Sequence, residues 1–378
     1  MKFRSFMLAI AVGSACLWTV PRCLAGRQAT RYYEDSAEAQ QALVRGVTRV
    51  VQNGVLENSF HTGAPLFDQE WVFGTYMMAA MGLGQVALAH PELREEHTLV
   101  MEHCIDELLT KRVRSFDTES WGSDPLESLN TNEGHVAYLG YLGLVLGLHQ
   151  RLNPYSRYSD LYDNITDALA RRYDASRSKL LATYPGQYFP VDNLAAIGAL
   201  ALHAGGTGSK REGQVAALVN AVRTRYLDHE TGLLVQRVDA AGRPVDAARG
   251  SGSALGAYFA VWASPELALD LHVAVKHQLT RAPLGFGMVR EYIQGSDGPG
   301  DIDSGPLVAG MSISATGFSL ASARVAGDFE HFEAVYRTAH LFGAPTTTGA
   351  GVEFVSGGPL GNALMLALMT APKPKVLL

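Results

Sequence analysis

Val136-Ala-Tyr-Leu-Gly-Tyr-Leu-Gly-Leu144 runs on to Leu152 with Arg151 as its only full charge. A helix this apolar all round has no face that suits water, so other elements must surround it. The next periodic segment, 158–174, is its opposite and carries many charges, Asp160, Asp163, Asp167, Arg171, Arg172 and Asp174. The contrast recurs along the chain: 190–204, 251–263 and 359–370 are rich in Gly and Ala and poor in charge, whereas 94–111 is heavily charged. Apolar spacing of three to four residues predicts further helices at 36–54, 70–90, 210–226, 265–281, 311–326 and 328–342. Alternation of dry and wet helices predicts helical hairpins closed into a ring, an all-α (α/α)6 toroid or barrel of about twelve helices. Strand character is confined to Gly232-Leu-Leu-Val-Gln-Arg-Val238 and the turn Ala241-Gly-Arg-Pro244, which read as a minor β-hairpin. No Pro-, Ser- or Gly-rich linker divides the chain, so residues 26–378 read as a single domain.

The bulk properties narrow the function. With 378 residues and 47% hydrophobic content the chain can bury a sizeable core. A net charge of -6 and a pI near 6.1 lack the basic footprint of a nucleic-acid binder. Lys2 and Arg4, the apolar run Phe6 to Val20, and Cys23-Leu-Ala25 ahead of Gly26 read as an export signal over residues 1–25. The protein is therefore expected to be exported, periplasmic or secreted. Later in the chain no 18 apolar residues follow one another without interruption, so no membrane span is expected. Cleavage would remove Cys16 and Cys23, and the remaining Cys104, in a helical segment, reads as a core residue that cannot form an internal disulfide.

Long connections at 55–69, 112–133, 175–189, 282–306 and 343–358 carry most of the Asp, Glu, Tyr, Trp and Gly, and loops of that length with aromatic content are functional rather than disordered. Val289-Arg290-Glu291-Tyr292 leads into Gly295-Ser-Asp-Gly-Pro-Gly-Asp301-Ile-Asp303-Ser-Gly-Pro306, where glycines let the backbone hold carboxylates rigidly. Asp301 and Asp303 are its candidates for chemistry; a capped turn explains one of the acids. Ser115-Phe-Asp-Thr-Glu119-Ser-Trp121-Gly-Ser-Asp124 sets a tryptophan beside acids, the composition of a polyol site or of a surface loop. His135 stands where that loop meets the dry helix. Thr183-Tyr184-Pro-Gly-Gln-Tyr188-Phe-Pro-Val-Asp192-Asn193 supplies two tyrosines and an Asp at a helix start, which serves either as a base or as an N-cap. The spacings HExxH and CxxC do not occur, and no metal or cofactor is expected.

Gly122-Ser-Asp124-Pro-Leu-Glu127, Gly134-His135 with its aliphatic helix, and Tyr188-Phe189 ahead of Asn193 together resemble the linalool dehydratase/isomerase family. Gly84-Gln-Val-Ala-Leu88, Pro91-Glu-Leu-Arg94 and Val289-Arg290-Glu291 extend the resemblance thinly over most of the chain. It implies an (α/α)6 barrel and a closed, partly apolar pocket suited to making or breaking a C–O bond. The family's histidine falls on His135 and its two catalytic cysteines on Thr183 and Asp192, neither of which is a thiol here.

The expectation is an exported hydro-lyase or isomerase working by carboxylate acid–base chemistry. Asp192, Asp301 and Asp303 carry protons, His135 and Tyr184 assist, and Tyr188, Trp121, Glu119, Asn193, Arg290 and Glu291 bind substrate. The substrate is a small-molecule alcohol or a carbohydrate, and a homo-oligomer is left open. A glycoside hydrolase of (α/α)6 type is the alternative, and a non-catalytic glycan-binding toroid a third reading.

Overall fold

In the computed structural model, which describes residues 19, 21–207, 211–349 and 351–374, twelve long helices alternate between an inner and an outer ring. The expected export signal lies largely outside those residues. After a short α1 (Ala29–Tyr33), the outer helices are α2 (Ala37–Gln52), α4 (Arg94–Leu108), α7 (Ser159–Ala175), α9 (Arg211–Arg225), α11 (Pro265–Ala274) and α13 (Phe329–Gly343). The inner ones are α3 (Pro65–Ala89), α6 (Val136–Leu152), α8 (Pro190–Thr207), α10 (Gly250–Ala260), α12 (Ile313–Val325) and α14 (Gly358–Met369). Each inner helix packs on the next, α3 on α6, α6 on α8, α8 on α10, α10 on α12 and α12 on α14, and α14 returns to α3 to close the ring. The (α/α)6 toroid is therefore the architecture of this chain.

Close packing in the ring depends on small residues. A Cβ on Gly140 would stand 3.0 Å from the Cβ of Ala196, and one on Gly82 would stand 2.5 Å from Leu366. The longest inner helix, α3, is long and apolar enough to cross a membrane, yet 83% of its apolar window is buried inside the ring.

Connections from inner to outer helices are short, and those from outer to inner are long. The N-termini of the inner helices and all the long loops therefore share one end of the toroid. Those loops contain the regular strands: β1 (Thr280–Arg281), β2 (Met288–Arg290), β3 (Leu307–Val308) and β4 (Met311–Ser312) form one sheet in the order β1-β2-β4-β3, and β5 (Pro345–Thr348) pairs with β6 (Gly351–Phe354). The hairpin expected at 232–244 keeps its turn, with the Gly242 N–H donating to the Asp239 carbonyl, but its ladder is reduced to single bridges. One reason is Pro244, opposite Val238, which has no N–H to donate. A second difference is α5 (Ser115–Trp121), a short helix inside the expected acidic loop that buries Phe116 and Asp117.

Candidate active site

The inner helices present their first two turns to a cavity of about 550 Å³ on the ring axis. Its walls repeat a register: the second residue of α3, α6, α8 and α10 (Leu66, Ala137, Val191, Ser251) and the sixth of α3, α6, α10 and α12 (Glu70, Tyr141, Leu255, Phe318) all line it. Second and sixth positions are four apart, so they stack on one helix face. The 180s loop adds Thr183, Tyr184, Gln187 and Phe189, and the 300s loop adds Ile302 and Asp303.

Three carboxylates open onto this space. Asp192, in the first turn of α8, accepts from Tyr141 Oη at 2.6 Å and from Thr183 Oγ1 at 2.9 Å. Burial raises its pKa to about 6, and those two hydrogen bonds hold it from going higher. Glu70 accepts from Tyr184 Oη at 2.6 Å. Burial pushes Glu70 up to about 8 against that hydrogen bond, and the charges of Asp303, Asp192 and Asp117 add to the rise. Asp303 accepts from Gln236 Nε2 at 3.1 Å. Asp303 lines the cavity and keeps an exposed surface, yet burial of its carboxyl, followed by the charges of Asp301 and Asp192, pushes it up to about 7. Tyr141 and Tyr184 are raised well above the usual phenol range by burial and by the carboxylates they face, so both stay protonated donors.

Of the residues singled out in the sequence, the structure brings Asp192, Asp303 and Tyr184 together in the cavity. Asp301 does not line it. Its Oδ1 caps the turn by accepting from the N–H groups of Asp303 (3.1 Å) and Ser304 (3.0 Å), and its Oδ2 pairs with Arg249. Burial would raise its pKa, but the Ser304 N–H and Arg249 outweigh it and hold Asp301 below the usual carboxylate range. Glu291 is buried one layer out, with Oε1 accepting from Ser251 Oγ at 2.6 Å and Oε2 from Ser251 N–H at 3.1 Å. It positions Ser251, which does line the cavity.

His135 is fully buried away from the cavity. Nδ1 lies 2.5 Å from Asp117 Oδ2, Nε2 lies 3.1 Å from Ser128 Oγ, and the ring packs at 4.6 Å against Trp121. Trp121 in turn donates from Nε1 to the Thr183 carbonyl at 3.3 Å, bracing the 180s loop from outside. Trp121 and Tyr188 line a separate open groove that shares only Pro185 with the cavity. Asn193 is a buried clamp: Oδ1 accepts from Leu181 N–H and Tyr173 Oη, both at 2.8 Å, while Nδ2 donates to the carbonyls of Leu181 (3.0 Å) and Phe189 (2.9 Å). Glu119 is exposed, 3.4 Å from Gln69, and Arg290 is spent on the Tyr292 carbonyl and Asp297. Trp121, Tyr188, Asn193, Glu119 and Arg290, all expected to bind substrate, therefore shape the loops and lie outside the cavity wall.

Sequence reasoning missed Glu70, Tyr141, Gln236 and Ser251. The available signal was position for Tyr141, a polar residue one and a half turns into a helix that is otherwise dry, where burial without a partner is costly; Glu70 stands beside Asp68 and Gln69 and has no such mark. Among the described residues, one group has metal-ligand spacing, His272, Asp328 and His331, whose ligand atoms lie within 4.8 Å of one another. It lies where outer helices α11 and α13 meet, away from the cavity, and Lys276 Nζ already answers the Asp328 charge from 2.5 Å.

A closed helical toroid with a carboxylate-walled cavity at the inner-helix N-termini is thus the class that fold and site define. No family model and no curated protein matches the chain. Solved structures do. The α-1,6-mannanase GH76A of Salegentibacter sp. HEL1_6, solved as an inactive variant with α-1,6-mannotriose, matches with TM-score 0.55 at 13% identity, covering 88% of this chain and 98% of that one. An unsaturated glucuronyl hydrolase specific for heparin matches with TM-score 0.54 at 12% identity, over 88% and 95% of the two chains. A family 105 glycoside hydrolase of C. acetobutylicum matches with TM-score 0.54 at 11% identity, over 78% and 92%. At these identities the likeness is one of fold.

Proposed function

We propose that this chain is a glycoside hydrolase of the (α/α)6 type. The observation that carries the reading is the set of three carboxylates, Glu70, Asp192 and Asp303, opening onto one cavity with their proton affinities spread apart. Cleaving a glycosidic bond needs one carboxylic acid that still holds its proton at working pH and one carboxylate that has lost it. Glu70 fits the first role. Its proton goes to the departing glycosidic oxygen, with Tyr184 keeping the carboxyl aimed. Asp192 fits the second, as nucleophile or as the base that activates water, with Tyr141 and Thr183 fixing its two oxygens. Asp303 adds negative charge beside the sugar ring as positive charge develops on it. The fold agrees, because the matching structures named above are a mannanase, a glucuronyl hydrolase and a family 105 glycoside hydrolase, though shared fold alone does not carry an activity.

A second reading keeps the sequence resemblance. Thr183 and Asp192, the positions of the linalool dehydratase/isomerase cysteines, face one another at 2.9 Å in the cavity wall, beside apolar Leu66, Phe67, Leu255 and Phe318. A small alcohol dehydrated or isomerised by these acids is the chemistry that arrangement favours. A purely glycan-binding toroid would leave its acids titrating normally, which the shifts at Glu70 and Asp303 count against.

Incubation of the protein with oligosaccharides, and separately with short-chain and terpenoid alcohols, followed by mass spectrometry of the products, tests both readings. Release of shorter saccharides is expected. Substitutions Glu70→Gln and Asp192→Asn should each lower that rate by roughly 10²–10⁴. Folded variants that both keep activity within a few-fold would overturn the assignment, and turnover of alcohols alone would replace the first reading by the second.

A further inference from the structure

We propose that the cavity takes saccharides that are uncharged or carry an amine, and turns away those built on uronic acids; this rests on the carbohydrate reading above. Most hydrogen-bonding groups of the wall are already used. Every hydroxyl donor in the wall is committed: Tyr141 and Thr183 to Asp192, Tyr184 to Glu70, Ser251 to Glu291, and Ser120 to the Phe116 carbonyl. Gln236 spends one of its two amide N–H groups on Asp303. Apart from its second N–H and the proton held by Glu70, mostly acceptors remain. The carboxylates have lone pairs to spare, and Gln236 Oε1 is buried without a partner, in a side chain only 3% exposed. Gly252 makes room for that oxygen, because a Cβ there would collide with it.

Among the described residues, no Lys, Arg or His lines the cavity. The nearest guanidinium acting on Asp303 is Arg249, and it is paired with Asp301 and stacked 5.5 Å from the centre of the Tyr292 ring. A uronate carboxylate only accepts hydrogen bonds, so it would lose its water, find as free side-chain donors only Gln187, the second N–H of Gln236 and the proton held by Glu70, meet no cation in the wall, and face the negative charge of Asp192. Neutral sugars bring donor hydroxyls on every ring, and an ammonium brings three N–H groups and the opposite charge. The apolar wall of Leu66, Phe67, Phe189, Leu255, Ile302 and Phe318 suits the C–H faces of either. The chain should therefore differ in substrate charge from the heparin-specific glucuronyl hydrolase whose fold it shares.

Binding and cleavage can be separated experimentally. An array of neutral, amino and uronate-containing oligosaccharides, probed with the intact protein and with Glu70→Gln, reports binding independently of turnover. Signals confined to neutral or amine-bearing glycans, at least tenfold above any uronate, are expected from both proteins. Strongest binding to uronates, or no binding to any neutral or amino glycan, would overturn the proposal. Neutral-glycan binding by both proteins with no product from the intact one would leave the selectivity standing and remove the hydrolase reading. As a positive control on mechanism, Asp303→Asn should narrow the preference for amine-bearing over neutral glycans; an unchanged ratio would mean that the wall charges do not set it.

Discussion

Glu70 and Asp192 share a cavity but hold their protons over different ranges, about 8 against about 6. If the first is the acid and the second the base, kcat/KM should rise as pH passes about 6, where Asp192 loses its proton, and fall past about 8, where Glu70 does. A pH–rate profile checks this, and a profile flat from 5 to 9 would contradict it. The same shift has a stability consequence. Glu70 moves from an ordinary 4.5 up to about 8 on folding, so the folded state binds this proton more tightly than the unfolded chain does. Its contribution favours the fold below 4.5 and is lost progressively as pH rises to about 8. Glu70→Gln should therefore be the more stable protein at pH 8.5, by on the order of 1 kcal/mol, with the gap closing towards pH 5 in thermal melts. At this scale the sequence was only partly legible. Asp192 and Tyr184 showed themselves by clustering with aromatics at a helix start. Asp301 and Asp303 were indistinguishable, because a two-residue spacing lets one cap the turn and sends the other inward, and only the backbone says which. Glu70 was invisible because nothing near it in sequence marks it; its partners Tyr184 and Asp303 are far along the chain.

The elements were the most legible part. Ten of the twelve helices begin and end within about four residues of the expected ranges, since a dry or amphipathic face repeats too regularly to be chance. Helix α11 ends at Ala274 rather than 281, because the chain passes into a π turn, Val275–Leu279, and then into β1. Helix α3 begins at Pro65 rather than 70, so Leu66 and Phe67 fall in the expected 55–69 loop and Glu70 at the expected first position of the helix. Proline at N1 pre-sets the helical φ and needs no donor, and that signal outweighs the polar run Asp68-Gln69-Glu70. Strands two to four residues long carry too little alternation to be read. Among connections, the 180s loop matters most, because it delivers Thr183 and Tyr184 to the cavity; Asn193 clamps it from within and Trp121 braces it from outside. Asn193→Ala strips two donors and an acceptor from Leu181, Phe189 and Tyr173 in a buried place. A loss of about 2–4 kcal/mol is expected in denaturant melts. In the folded fraction kcat should drop more than KM changes, since the proton-handling pair Thr183–Asp192 loses its register. A variant with unaltered kcat would show that the clamp is dispensable to the site.

For the molecule as a whole, ring closure requires both ends of the chain to be tied in. Arg324, 1% exposed on α12, donates to the carbonyls of Tyr32, Tyr33 and Ala371 and pairs with Asp35 at 2.6 Å, joining segments nearly the whole sequence apart. Arg324→Met removes the side-chain donor from the Tyr32 and Ala371 carbonyls and leaves Asp35 to Lys373 and Gln40, and should cost about 3 kcal/mol. Unfolding should remain a single transition if the toroid is one cooperative unit; a separate early melt of the terminal segments would argue otherwise. Composition revealed the ring, through alternating dry and wet helices, but not which end of it does the work; that follows from the short returns and long crossings. The central claim, that Glu70 protonates a departing glycosidic oxygen beside an ionised Asp192, is tested most directly with a pair of aryl glycosides of the cleaved sugar, one with a poor and one with an activated leaving group. Glu70→Gln should lose roughly 10²–10⁴ in rate on the poor leaving group and little on the activated one, while Asp192→Asn loses on both. Equal losses for Glu70→Gln on the two substrates, or none on either, would contradict the account.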